Sequence, residues 1–348
     1  MIEIWIRKLL LNSFLFFRSN SKNKNAGAKI PVYGNVLVIR LNRIGDALVT
    51  TPLIRLLKNV NEYKVFVLAD RKNSFIFNGN KDISKVIVFE KGIGGFKQIN
   101  RIIRENNIKI VVDSHDDVST TVSFLVALAK VSVKVGFAKG NDKIYTHLVE
   151  KPDPKNVHVI ERVASLISPF DKNKPQNLKV IYNLTDNSDN IAEKFLHEHN
   201  LKSSFLIGIN ISAGSDARFW GVSNYQRIIM DMEHSGANVF LLAHEKDREK
   251  AENISGGKLQ IFCHPDLNVF AAIVSKLDLL FSPDTSIVHI AAAYRIPVFG
   301  LYVQFNTDNL PWFPYNSLHE YVLTKEPTLE NVGYEIVAQK FFEFMGKI

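Results

Sequence analysis

From residue 36 onward the chain alternates short apolar, β-branched runs with stretches of helical length, and no other feature of the sequence limits its fold so tightly. Runs suited to strands buried on both faces occupy residues 36–41, 64–68, 86–89, 109–113 and 133–137. Residues 52–61, 96–106 and 119–130 between them have the length of helices. That is a βαβ series, which predicts a parallel sheet covered by helices. A second series follows, with strands expected at 205–211, 238–243, 259–262, 278–281 and 297–302 and helices at 224–235, 247–254, 268–276 and 286–294. The proline-, lysine- and asparagine-rich stretch 168–179 marks the break between them. The class is therefore α/β, with an N-terminal domain at 29–180 and a C-terminal one at 181–325. A last helix within 326–348 is expected to pack back on the N-terminal domain.

In open parallel sheets ligands bind beyond the carboxyl ends of the strands. With two such domains, the cleft between them is the expected site. Three loops that leave strands are unusual. The first runs Arg40-Leu41-Asn42-Arg43-Ile44-Gly45-Asp46 and reaches Thr51-Pro52. Gly45 allows a tight path, and a helix is expected to start at Asp46 and kink at Pro52, or to start at Thr51. Asp46 has two readings. One is an N-cap. The other is a general base toward a hydroxyl, which a carboxylate assists late, as the proton leaves in the transition state.

The second loop, Asn210-Ile211-Ser212-Ala213-Gly214-Ser215-Asp216-Ala217-Arg218-Phe219-Trp220, sets small residues before one cation. Ser212 and Gly214 let the backbone approach a phosphate. A fixed Arg218 guanidinium would favour a departing diphosphate as it gains charge, while the plainer reading is a surface arginine beside a core tryptophan. The third loop is Ser282-Pro283-Asp284-Thr285-Ser286, with His289 one turn on. A helix opening near Thr285 offers free N–H groups and a positive dipole end to an anion. Asp284 reads as its cap, since a carboxylate repels a phosphate. His289 reads as a phosphate donor or as a packed side chain.

In order and spacing these loops resemble glycosyltransferase family 9, the heptosyltransferases of lipopolysaccharide core assembly. The likeness covers residues 33–310. The run from Val36 through Ile44-Gly45-Asp46 to Thr51-Pro52 is similar to the family's opening motif, in which the aspartate is the proposed base. Arg218-Phe219-Trp220 matches a basic residue shortly before a tryptophan, and Asp284-Thr285-Ser286 with His289 matches the nucleotide-binding signature. The resemblance implies two Rossmann-like domains facing across a cleft (the GT-B type), an inverting mechanism and ADP-heptose as donor. It implies a lipopolysaccharide or related glycolipid acceptor and no obligatory metal or cofactor. Asp46 would be catalytic, and Arg218, Asp284, Thr285, Ser286 and His289 would bind the donor, with Gly45, Ser212 and Gly214 shaping the loops. The chain departs from the family at Ser286, where glycine is usual, and at Gly221, where proline is common. It departs again at Asp113-Ser114-His115-Asp116-Asp117, where the family often shows Gln-Gly on the acceptor side. Asp116-Asp117 reads as a loop pair and not as metal ligands.

Charge and cysteine content narrow the classes further. Residues 1–30 hold six lysines and arginines against Glu3 alone, so most of the formal charge of +8 lies there. A nucleic-acid enzyme spreads such charge over a folded face, and no nucleic-acid partner is expected. Residues 1–28 are apolar and aromatic to Phe17, then basic. The run is short and charged for a membrane span, and Arg18, Lys22 and Lys24 interrupt the stretch where a signal peptide would be cut. An interfacial helix on the anionic inner leaflet is the favoured reading, with a helix packed on the protein as its alternative. With the family resemblance, that reading implies a cytoplasmic enzyme at the inner membrane. Cys263 is the lone cysteine, so no internal disulfide forms. Two other classes stand beside the transferase. A nucleotide-dependent oxidoreductase is disfavoured because no G-x-G-x-x-G follows either domain's first strand. A non-catalytic nucleotide-sugar or glycolipid binding protein of the same fold is the other.

Overall fold

In the computed structural model, which describes residues 27–90, 92–201 and 204–348, the chain divides into two compact units between Asn183 and Leu184. The tail reading of residues 1–28 falls almost wholly outside the described residues. The first unit is built on a six-stranded parallel sheet of β1 (Tyr33–Arg40), β2 (Glu62–Ala69), β3 (Ile83–Val88), β4 (Ile108–Asp113), β5 (Val133–Phe137) and β6 (His147–Val149), in the order β3-β2-β1-β4-β5-β6. The second carries β7 (Leu206–Asn210), β8 (Asn238–Ala243), β9 (Ile261–Cys263), β10 (Leu279–Pro283), β11 (Val298–Val303) and β12 (His319–Thr324), in the order β12-β11-β10-β7-β8-β9. Renumbered from its own first strand, the second order equals the first. Both units are doubly wound, and in each the order reverses beside the first strand. The α/β class and two Rossmann-like units are those expected.

The apolar runs form the central strands because helices cover both faces. Val36, Leu37, Val38 and Ile39 of β1 are fully buried, as are Ile207 and Ile209 of β7. The edge strands β6 and β12 lie outside the expected list. They are short or polar, so sheet pairing and not hydrophobic pattern makes them strands. Helices Val159–Ala164 and Asp186–Glu198 are likewise additional.

Two expectations are corrected. The helix after β1 runs over Ile44–Val60 with Pro52 inside it, so it starts close to Asp46 and not at Thr51. Pro52 has no N–H for the carbonyl of Leu48, and the hydroxyl of Thr51 donates to that carbonyl at 2.7 Å. The same hydroxyl accepts from Ile181 N at 2.9 Å. The terminal helix Tyr334–Met345 belongs to the second unit. It buries Val337, Phe341 and Phe344 with Phe281 and Phe299 of the second sheet, because aromatic side chains on those strands leave a face that only another apolar helix fills.

Candidate active site

Each unit has buried polar side chains where the strand order reverses, Arg40, Asp113, Ser114 and His115 in the first and Asn210 and Ser282 in the second, and that is the place at which doubly wound sheets bind ligands. In the first unit that place lies between the carboxyl ends of β1 and β4. Asn42 turns the chain out of β1 with φ 88°, a conformation asparagine tolerates better than most residues, and the helix follows at Ile44. Gly45 and Asp46 lie in its first turn. Arg43 is the N-cap position and makes no side-chain cap, so Asp46 is not the cap. Its carboxylate Oδ1 accepts from Arg40 Nη2 at 3.0 Å. Arg40 is 1% exposed and the Asp46 side chain 23%. Arg40 Nε donates to the Asp46 carbonyl at 2.9 Å, and Nη1 to the Ser114 carbonyl at 2.8 Å.

Behind this pair lies a buried ionic cluster that sequence reasoning missed. Asp113, the last residue of β4, accepts from Lys139 Nζ at 2.9 Å and Tyr145 OH at 2.6 Å. Gly136 makes room for Tyr145, since a Cβ there would stand 2.3 Å from its ring. His115 Nδ1 lies 2.8 Å from Asp113 Oδ1. A carboxylate only accepts, so Nδ1 carries the proton and Nε2 accepts from Leu41 N at 3.3 Å. His115 thereby braces the turn leading to Asp46. Burial lowers the affinity of His115 for a second proton, against the pull of Asp113. Burial raises the Asp113 carboxyl, but Lys139, His115 and Tyr145 outweigh it and hold it well below the carboxylate range. Asp116 and Asp117 are a loop pair held by cations: Arg162 reaches Asp116 at 2.7 Å and Lys151 reaches Asp117 at 3.2 Å.

The second unit repeats the layout with other chemistry. Asn210 ends β7 and is buried. Its amide donates to Ser282 Oγ at 2.9 Å and its Oδ1 accepts from Ser212 N at 3.1 Å, tying the ends of β7 and β10 together. Ser212 Oγ accepts from His244 N at 2.8 Å. Around Gly214 a Cβ would meet nothing within 4 Å, so the loop is open there. Asp284 is not the helix cap as read from the sequence. Thr285 is, its hydroxyl accepting from Ile287 N at 3.2 Å, and Ser286 opens the helix Ser286–Ala293. Asp284 instead holds Arg218, whose Nη2 reaches its carboxylate at 3.0 Å and whose Nη1 donates to its carbonyl at 2.7 Å. The Arg218 side chain is 36% exposed and that of Asp284 22%. Burial raises the Asp284 carboxyl and Arg218 opposes the rise. The structure therefore brings Arg218, Asp284, Thr285 and Ser286 together. His289 is buried with its ring 6.0 Å from Trp312, as the packed reading has it. Trp220 is a core residue whose Nε1 donates to Val332 O at 2.9 Å.

Chemically, the first site holds an aspartate with one side-chain oxygen bound by Arg40 and the other presented, suited to accept a proton. The second holds a guanidinium with unused donors beside a helix N-terminus, suited to an anion. Among the described residues no group of three or more His, Cys, Asp or Glu is placed to hold a metal ion, and no helix is long and apolar enough to cross a membrane.

The family model for glycosyltransferase family 9 (heptosyltransferase) matches residues 97–341. A lipopolysaccharide core heptosyltransferase, OpsX of Haemophilus influenzae, is 30% identical over 116 residues, which are 31% of this chain and 32% of that protein. The match thus spans about a third of that relative's length. Among solved structures, a family 9 glycosyl transferase from Veillonella parvula superposes with a TM-score of 0.78 at 19% identity, covering 90% of this chain and 98% of that one. The E. coli ADP-heptose lps heptosyltransferase II superposes with a TM-score of 0.72 at 17% identity, covering 90% and 99%. At such identities the superpositions establish the fold.

Proposed function

The chain belongs to glycosyltransferase family 9, and from that premise we propose that it is an inverting transferase carrying a heptose from ADP-heptose to a lipopolysaccharide core or related glycolipid acceptor. The observation that carries the reading is the pair of switch points, one presenting a carboxylate and the other a guanidinium beside a helix N-terminus. The named relatives support the donor and the acceptor class.

In this reading the acceptor hydroxyl attacks the anomeric carbon as its bond to the diphosphate oxygen breaks, inverting that carbon. Asp46 takes the hydroxyl proton as the nucleophile loses it. The leaving diphosphate gains negative charge, which Arg218 and the N–H groups opening at Thr285–Ser286 stabilise more in the transition state than in the ground state. Those groups supply the counter-charge, so we assign no metal or other cofactor. Asp284 holds Arg218 in place, and Ser212 and Gly214 border the phosphates. His289 supports the helix from within. The basic, apolar sequence of residues 1–28 would hold the enzyme to the anionic inner leaflet from the cytoplasmic side.

Purified protein is to be incubated with ADP-heptose and a deacylated core acceptor, and free ADP and glycosylated product measured. Equal release of both supports the reading. Nucleotide binding without product in the presence of every core acceptor tried would mark a binding protein instead. Sedimentation with anionic vesicles tests the tail: a variant lacking residues 1–28 that sediments like the full chain overturns that assignment.

A further inference from the structure

We infer that Arg40 is the positioning residue for Asp46, setting the carboxylate at the one orientation in which it serves as base. The inference rests on the assignment of Asp46 to that role. Arg40 ends the central strand β1 and is as buried as the valines before it. A guanidinium in such a place is no aid to stability over an apolar side chain of similar size, so its presence calls for a geometric reason. Its three bonds supply one. Nε holds the backbone of Asp46, Nη2 holds Oδ1 of the same residue, and Nη1 holds the Ser114 carbonyl at the end of the neighbouring strand.

The planar fork therefore fixes both the main chain and the side chain of one residue and references them to β4. Among the described residues Oδ2 of Asp46 accepts no hydrogen bond, and that is the oxygen left for a substrate proton. A lysine would supply the charge but not the fork. The backing on the far side is equally rigid. Asn73 Nδ2 donates to the Arg40 carbonyl at 3.3 Å, and His115 holds Leu41. Arg40 itself touches no substrate and acts through the carboxylate it holds.

The test is a double-mutant cycle on the full chain with Arg40→Lys and Asp46→Asn, reading kcat, the KM for donor and nucleotide binding by calorimetry. Arg40→Lys keeps a basic side chain of similar length at the buried position, and thermal unfolding checks that the variant is folded. We expect it to lower kcat about 10-fold to 100-fold, the cost of a misplaced group, with donor KM and nucleotide affinity within twofold. In the Asp46→Asn background the same change is expected to cost less than twofold, because there is no base left to position. Arg40→Met, followed by thermal unfolding, sharpens the result. A folded variant slower than Arg40→Lys supports the fork. Additive losses in the cycle, or a folded Arg40→Met with wild-type kcat, overturn the inference. An Asp46→Asn variant with normal turnover overturns instead the assignment of the base.

Discussion

The two units share a strand order and place an Arg–Asp pair at the same topological point, yet they present opposite charges. In the first the arginine is buried and the aspartate half-buried. In the second the arginine is the more exposed partner and burial raises the carboxyl of its aspartate. The difference teaches which member of each pair is free to meet a substrate. In the first pair the buried Arg40 spends its hydrogen bonds on Ser114 and Asp46 and orients the aspartate, and in the second the partly exposed Asp284 grips Arg218 through its carboxylate and its carbonyl. One architecture thus presents a carboxylate in one half and a guanidinium in the other by changing how deeply the arginine of the pair is buried, since the two aspartates are almost equally exposed.

The strongest way to break that comparison is Asp46→Asn. It is expected to lower turnover by about 10²–10⁴-fold while calorimetry shows nucleotide affinity within twofold of the native chain, and a matching loss of affinity would show the two sites not to be separable. Asp113→Asn probes the support of the first site. It strips Lys139 of its buried partner and should cost about 3–5 kcal/mol of stability, read as a lowered midpoint in denaturant. The pH dependence has a defined sign. With its folded-state pKa held far below the ordinary carboxylate value, Asp113 contributes in full above about pH 4. That contribution is lost as the pH falls from there toward the folded-state value.

Arg218→Gln comes next, with an expected loss of about 10²–10³-fold in kcat/KM and weakened nucleotide binding, the reverse of the Asp46 signature. If the nucleotide bound normally, the second site would not hold the phosphates. The smallest effect is expected from Asp284→Asn on stability. The pair it breaks is partly exposed and worth about 1 kcal/mol or less. The sign of its pH dependence is opposite to that of Asp113. Because the folded chain takes the Asp284 proton before the unfolded chain does, acidification just above the ordinary carboxylate value stabilises the native protein, and the Asn variant is expected to lose that gain. Unfolding curves between pH 4 and pH 7 check it.

Much of this was legible beforehand. Ten of the twelve strands among the described residues announce themselves as apolar runs, and Asp46, Arg218 and the 284–286 turn stand out because they lie in the loops that leave such runs. The strands β6 and β12 do not, since three residues or a His-Glu-Tyr start carry no clear period. Arg40 stands at the head of the first loop with no local pattern to give it a role, and Asp46 and Asp284 read as caps because capping is decided by residues within one turn. The terminal helix was expected in the wrong unit because an apolar stripe shows that a face is buried, not which surface buries it.

The order of the residues along the chain therefore determined the alternation of strands and helices, the two-unit plan and the loops in which chemistry resides, since each depends on periodicity and on neighbours a few positions away. Only the tertiary structure decided that Arg40 grips Asp46 and Ser114 together, that Asp284 holds Arg218, and that His115 braces Leu41. Those pairings arise where the strand order reverses and lay side by side segments as much as 74 residues apart. No local pattern encodes that adjacency, because it follows from how whole sheets assemble to bury their faces.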